Sequence, residues 1–390
     1  MKLSQIGELS LLEQIRRSFC KKSKNVVVGI GDDAAVVKPL GKNLLVTTDM
    51  MVEGVHFDLS FTTPYQLGFK LISVNVSDIY AMGGKPFYLL LNIAVNKNTN
   101  KKFMDRLFDG VKDALTLYDT ILIGGDLSAT NAGTALSATV IGYVKKHIPR
   151  SGANIGDKIY VTGYLGNSAC GLKLLKKIKR PVPFENKGQR KQNTPSLTLP
   201  PRWGGKGWGG EFKLRTLCSE LLKGLSRKVV EPLLRRHLMP EARDSKKFVK
   251  DATSMIDVSD GLLIDLWRLC NESRVGARIY IENIPVSPEL KKAASHLGIS
   301  PIKLALSGGE DYELLFTVPS GKKVKAIYIG DITKSERVIV DNSGREQPFA
   351  PEGYQHFGCR SPLLRGVKGG VDRNDKKTID TSPGWKLTNH

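Results

Sequence analysis

The chain has 390 residues and a formal net charge of +21, with the apolar content of a globular protein long enough to fill two cores of ordinary size. Much of the excess charge sits in two segments: residues 186–228 carry ten bases against Glu211 and Glu220, and residues 360–390 carry seven bases against three acids. Basicity so concentrated sets aside nucleic-acid binding as the main role; the N-terminal MKLSQIGELSLLEQIRRSF, apolar at helical spacing among charges, is neither a signal peptide nor a membrane span, so a cytoplasmic protein is expected.

In chain order, strands are predicted over Val26–Val28, Leu44–Thr47, Phe87–Val95, Thr120–Ile123 and Ala135–Val144, with helices over Pro64–Met82 and Lys101–Leu117 between them. This alternation reads as an α+β or α/β domain over residues 1–147. A second α/β domain, 148–357, opens at the strand GDKIYVTG and continues with a helix over Ser168–Lys177. Further on come a helix over Lys228–His237, a strand–turn–helix at Met255–Leu269, and strands at Ala277–Ile281, Tyr312–Val318 and Val324–Ile329. Residues 186–227, including NTPSLTLPPRWGGKGWGGE, show no apolar period and read as a disordered insertion; residues 358–390 read as a disordered basic tail. The five cysteines have no ligand spacing and are odd in number, which argues for reduced thiols.

The informative pattern is a series of aspartates inside or beside apolar runs, where an unpartnered carboxylate is costly to desolvate. Gly29-Ile30-Gly31-Asp32-Asp33, Thr47-Thr48-Asp49 and Gly124-Gly125-Asp126 each follow a strand, and turns there would deliver carboxylates at strand ends. Asp78 shares a helical face with Leu71, Asn75 and Met82 in apolar surroundings, either bonded to nearby backbone or holding a metal. Asp257-Val258-Ser259-Asp260-Gly261 joins a short strand to the helix LLIDLWRL, where Asp260 is a helix cap or a ligand. Ser307-Gly308-Gly309-Glu310-Asp311-Tyr312 adds acids on flexible backbone ahead of another strand. Hard oxygen donors gathered this way suit Mg²⁺, which in such settings accompanies a polyphosphate. A P-loop, a protein-kinase signature and an HExxH zinc site are all missing from the sequence.

The motifs GIGDDAAV, TTDMMVEGVHF, NVSDIYAMGGKP, IGGDLS, RSGANIGDKIYVTG, IDVSDGLLIDL and LSGGEDYELLFT resemble, in their order, those of the thiamine-monophosphate kinases, in the superfamily typified by aminoimidazole ribonucleotide synthetase. The resemblance covers about residues 1–180 and 228–357. It implies a two-domain fold, an N-terminal mixed sheet that pairs across a homodimer, a C-terminal α/β domain, and ATP as co-substrate in the cleft between them. It also implies ATP-dependent conversion of thiamine monophosphate to thiamine diphosphate. Carried over by position, Asp33, Thr47, Thr48, Asp49, Asp78, Asp126, Asp257 and Asp260 would hold several Mg²⁺ ions, with Asp49, Asp126 and Asp257 the most critical. Gly125, Asp126, Arg150 and Ser259 would meet ATP, and His56, Glu310 and Tyr354 the thiamine moiety. Two alternatives keep parts of this picture: a selenophosphate or purine-type synthetase of the same superfamily, and a degenerate nucleotide-binding copy without activity. ATP consumption with and without thiamine monophosphate separates them.

Overall fold

The computed structural model describes residues 14–15, 17–19, 25–28, 36–37, 43–178 and 224–356. Asp33, Cys20, Cys218, Cys359, the tail from 358 and all but the last residues of the 186–227 insertion therefore lie outside the described residues.

In the first half, β1 (Val26–Val28) and β2 (Val36–Val37) form a small antiparallel pair. The main elements are β3 (Asn43–Val52), α1 (Pro64–Ala81), β4 (Lys85–Asn96), α2 (Lys101–Leu117), β5 (Ile121–Thr130) and β6 (Ala135–Val144). The sheet order is β3-β6-β4-β5, antiparallel except for β4 and β5, which the helical crossover through α2 makes parallel. Helix α1 starts in a reciprocal capping box between Thr63 and Gln66 with a proline at its first turn, so its N-terminal N–H groups are satisfied locally. Leu67 and Leu71 of α1, Met104 and Leu107 of α2, and Leu89 and Val140 of the sheet form the core under the helices. The strict alternation of burial along β6 shows that only one sheet face is covered. On the other face Leu44, Val46 and Met50 are 58%, 66% and 60% exposed.

The second half comprises β7 (Lys158–Val161), α3 (Asn167–Ile178), α4 (Arg227–Leu238), β8 (Ser254–Asp257), α5 (Leu262–Ser273), β9 (Gly276–Tyr280), α6 (Pro288–Leu297), α7 (Pro301–Ser307), β10 (Leu314–Val318), β11 (Ile327–Thr333), β12 (Arg337–Val340) and β13 (Glu346–Pro348). Its strands form a mixed sheet of order β13-β12-β9-β11-β7-β10-β8, in which only β9 and β12 run parallel. Leu174, Leu233 and Leu290 join α3, α4 and α6, while Leu262, Leu266 and Leu269 bury α5 against Ile159, Ile256 and Leu315. Both sheets belong to one compact unit that runs to Tyr354.

Two expectations change. Thr47-Thr48-Asp49 and Gly124-Gly125-Asp126 do not lie in turns: β3 and β5 continue through them, because the ladders with β6 and β4 run on past these residues. Asp49 and Asp126 therefore project from strand interiors. Among the described residues Cys170 and Cys270 are buried and free, and burial pushes both thiols up to about 11.

Helices α1 and α2 approach closely because glycines line the contact. A Cβ at Gly68 would lie 2.2 Å from the carbonyl oxygen of Leu107, and one at Gly110 would lie 1.9 Å from that of Tyr65. Backbone cannot yield as a flexible side chain does, so Gly110→Ala should cost about 2 kcal/mol or more, read as a lowered urea midpoint with unchanged slope.

Candidate active site

Helix α1 lies between the two halves and presents polar groups to both. Toward the first sheet, Asn75 accepts the backbone N–H of Asp49 at 2.9 Å and donates to the carbonyl of Leu71. The Thr47 hydroxyl donates to Asp78 at 2.6 Å. Toward the second half, the Ser77 hydroxyl donates to Asp257 at 2.7 Å, across 180 residues of chain. Asp257 ends β8 and is only 3% exposed. Aspartates from both halves thus meet on one helix.

Their charges act on one another. Burial, then Asp78, then Asp260 push Asp49 up to about 6. Burial also raises Asp78, against the Thr47 hydroxyl and the Arg150 guanidinium. Asp257 is raised well above the ordinary carboxylate range by burial and then by Asp78, with Asp265 adding and Ser77 and Arg150 opposing. Low surrounding dielectric makes such repulsion strong, and a cation relieves it.

Oxygen-only donors that are buried and mutually repelling fit a hard divalent ion such as Mg²⁺. Among the described residues no three His, Cys, Asp or Glu side chains converge on one point. An ion here would be held by carboxylates in pairs, with water or phosphate oxygens completing its shell.

The loop that carries Asp257, Ser259 and Asp260 is shaped from behind. Asp265, in the first turn of α5, accepts the N–H groups of Ser259, Asp260 and Gly261 at 3.1, 3.0 and 3.1 Å. Asp260 is not the cap of α5; that position is Gly261, and Asp260 pairs with Arg268 at 2.6 Å. Beside this loop runs the GGEDY turn. Glu310 donates its N–H to Ser259, Tyr312 donates to Val258, and Val258 donates to Glu313, at 2.7, 2.9 and 2.8 Å. Glu310 and Tyr312 both adopt positive φ, 65° and 50°, a strained state for side chains of this size. Burial, followed by the charges of Glu310, Asp257, Asp49 and Asp78, pushes the Tyr312 phenol well up.

The remaining expected residues take varied positions. Thr48 faces the open side of β3, bonded to Ala138 and Thr139, so adjacent Thr47 and Thr48 point opposite ways. Asp126 pairs in register with Asn92, and through it with Ser137 and Met50, one row along from Asp49 and so on the open face. Gly125, at φ +150°, sits where a Cβ would lie 1.9 Å from the carbonyl oxygen of Leu91. Exposed Arg150 starts a single 3-10 turn, its carbonyl held by Ser254 and Ser273. His56 accepts the N–H of Val52 on Nδ1 at 3.0 Å, which places the proton of the neutral ring on Nε2. Exposed Tyr354 donates its N–H to the Asp260 carbonyl at 3.0 Å and so sits at the same loop.

Sequence reasoning missed the groups that support this site. Lys70, 3% exposed, pairs with Glu310 at 2.7 Å, and His237 approaches the other carboxylate oxygen at 3.0 Å. Although burial pushes Glu310 up, Lys70 and His237 outweigh it and hold its carboxyl well below the usual range. Buried Glu313 is held by Arg236 and Arg243 and accepts the Thr162 hydroxyl. A lysine inside LGFKLISV and an aspartate inside LLIDLW were the available signals.

Comparison with known proteins gives two family matches: AIR synthase related protein, N-terminal domain, over residues 31–144, and AIR synthase related protein, C-terminal domain, over residues 206–340. A thiamine-monophosphate kinase of Aquifex aeolicus is 33% identical over 363 residues, covering 92% of this chain and 100% of that protein. The chain belongs to this family. A Buchnera aphidicola thiamine-monophosphate kinase is 34% identical, covering 90% of this chain and 98% of its own length. The structure of AaThiL complexed with AMPPCP and TMP matches with a TM-score of 0.65 at 32% identity, covering 92% of this chain and 99% of that chain. Membership in the family accounts for the two mixed sheets with helices and their order.

Asp311 offers a measurable signature of the GGEDY turn. It is fully buried, accepts the N–H groups of Gly166 and Ser168, and is raised to about 7 mainly by burial. The folded state therefore holds a proton that the unfolded chain has released, and stability falls as pH rises from about 4 to about 7. Asp311→Asn lacks this titration. The difference in melting temperature, variant minus wild type, should rise across that interval, and a flat difference would count against it.

Proposed function

We propose that this protein transfers the γ-phosphoryl group of ATP to the phosphate of thiamine monophosphate, giving thiamine diphosphate and ADP. The observation that carries the reading is the convergence of Asp49 and Asp78 from one half with Asp257 and Asp260 from the other on helix α1, in a chain one-third identical along nearly its whole length to thiamine-monophosphate kinases. Two anionic phosphates must approach each other, and their repulsion is the main obstacle. Bound Mg²⁺ supplies the charge cancellation and alignment on which this chemistry depends.

The chain's own residues then have distinct tasks. Asp33, Thr47, Thr48, Asp49, Asp78, Asp126, Asp257 and Asp260 are assigned to several Mg²⁺ ions. Gly125, Asp126, Arg150 and Ser259 are assigned to ATP. His56, Glu310 and Tyr354 are assigned to the thiamine moiety, with Tyr354 set at the Asp260 loop. The acceptor phosphate is largely ionised near neutral pH, so no side chain is needed as general base. An oxygen of that phosphate forms the new bond to the γ-phosphorus as the bond to the ADP oxygen breaks.

The protein would act in the cytoplasm as a homodimer. The exposed Leu44, Val46 and Met50 on the open face of the first sheet are the surface that supports pairing. Among the described residues, no helix is long and apolar enough to cross a membrane.

Purified protein with ATP, Mg²⁺ and thiamine monophosphate should form thiamine diphosphate and ADP in equal amounts, followed by chromatography. ADP release independent of thiamine monophosphate, or dependent on another acceptor, would sink the assignment. Asp49→Asn should lower turnover by roughly 100-fold or more with an unchanged circular dichroism spectrum. Activity within a few-fold of wild type at saturating Mg²⁺ would remove Asp49 from this role.

A further inference from the structure

Lys70, Ser73 and Ser77 are spaced three and four apart and share one face of α1. Lys70 and Ser77 meet the second half directly, and Ser73 reaches it through Tyr118. Lys70 donates to Glu310 at 2.7 Å, and Ser77 donates to Asp257 at 2.7 Å. Between them Ser73 accepts the Tyr118 hydroxyl at 3.0 Å, and that same oxygen accepts the backbone N–H of Ala242 at 3.0 Å. The neighbouring face carries Asn75 and Asp78 to β3. One rigid helix thus fixes where the first half's carboxylates stand relative to Asp257.

At the Lys70 end of the seam the restraint is charged and buried. Lys70 is 3% exposed, and Glu310 belongs to a backbone of positive φ that is bonded to the Ser259 carbonyl. His237 Nδ1, within reach of both Glu310 and Ser168, backs the carboxylate from α4. A strained turn needs surroundings that over-determine it. Here that means one ion pair from α1, one imidazole from α4 and a backbone bond to the loop that carries Asp260.

From this geometry we infer that Lys70 is a positioning residue for the metal site: its pair with Glu310 holds α1 against the GGEDY and VSDGL loops so that Asp78 and Asp257 face one cation. The inference rests on reading Asp49, Asp78 and Asp257 as metal-holding. Lys70 itself lies about 12 Å along the helix axis from Asp78, too far to bind the same ion.

The test uses the full chain and Mn²⁺ as probe, with free Mn²⁺ followed by electron paramagnetic resonance in the absence of ATP and thiamine monophosphate. Lys70→Met should weaken Mn²⁺ binding by about tenfold, the scale of losing a group that supports metal ligands. Lys70→Arg, which keeps the charge, should restore most of it. Glu310→Gln, which keeps the shape and removes the charge, should weaken binding in the same direction and serves if Lys70→Met does not fold. In the kinase assay of Lys70→Met the Mg²⁺ concentration for half-activation should rise in proportion, while turnover at saturating Mg²⁺ recovers; Glu310→Gln is read by Mn²⁺ binding alone. Mn²⁺ affinity within twofold of wild type in Lys70→Met, with only a lowered melting temperature, would overturn the inference. So would a wild-type chain that binds no Mn²⁺. Because metal binding is read without either substrate, loss of the thiamine assignment and loss of the positioning role are separate results.

Discussion

Concentrated negative charge at the junction of two domains governs this structure. Asp49, Asp78 and Asp257 are brought together in a space where water is largely excluded; burial raises the proton affinity of all three, and Asp78 raises that of Asp49 and Asp257 further. Such an arrangement is unfavourable in isolation, because desolvation and like-charge repulsion act in the same direction. The fold offsets it with hydroxyls from Thr47 and Ser77, with the field of Arg150, and with a long helix whose apolar side is anchored under the sheet. Stability is spent to keep oxygens where a doubly charged partner is wanted.

Around that cluster the support is arranged in pairs of opposite sign. Arg268 bridges Asp260 and Asp265, Arg236 and Arg243 enclose Glu313, and Lys70 pairs with Glu310, whose other oxygen meets the His237 imidazole, a ring whose proton affinity burial lowers. Where the pair is largely buried, as for Arg236 with Glu313 and Lys70 with Glu310, removing one member leaves the other uncompensated, which costs far more than the pair contributes when whole. The value of these contacts is geometric. They tie two loops, VSDGL and GGEDY, to the helices beside them.

Much of this was legible in the residues, and the exceptions have physical causes. The alternation in Ala135–Val144 and the amphipathic period of Lys101–Leu117 coincide with β6 and α2 to the residue. The two-domain order agrees with the family matches, and the helix expected over Pro64–Met82 is α1; that Asp78 acts on Asp49 and Asp257 is visible only in the folded chain. Threonine, glycine and aspartate at 47–49 and 124–126 imitate turns, since local chemistry favours turns there; ladders on neighbouring strands override that preference. Strands β12 and β13 are three or four residues long and largely unburied, so they carry no period to detect. The face that each side chain takes depends on register, which is why Thr48 and Asp126 could be named but not placed. Partners such as Lys70 for Glu310 are set only by tertiary packing.

The pairing of Lys70 with Glu310 joins residues 240 apart in sequence. During synthesis the first sheet and its two helices can assemble well before Glu310 leaves the ribosome, because their contacts are nearer in the chain. Through that interval an ammonium destined for the interior stays in water, and α1 lacks its distant anchor. The nascent N-terminal half therefore sets Asp49 and Asp78 side by side first, and Asp257 joins them only after the second half has been made.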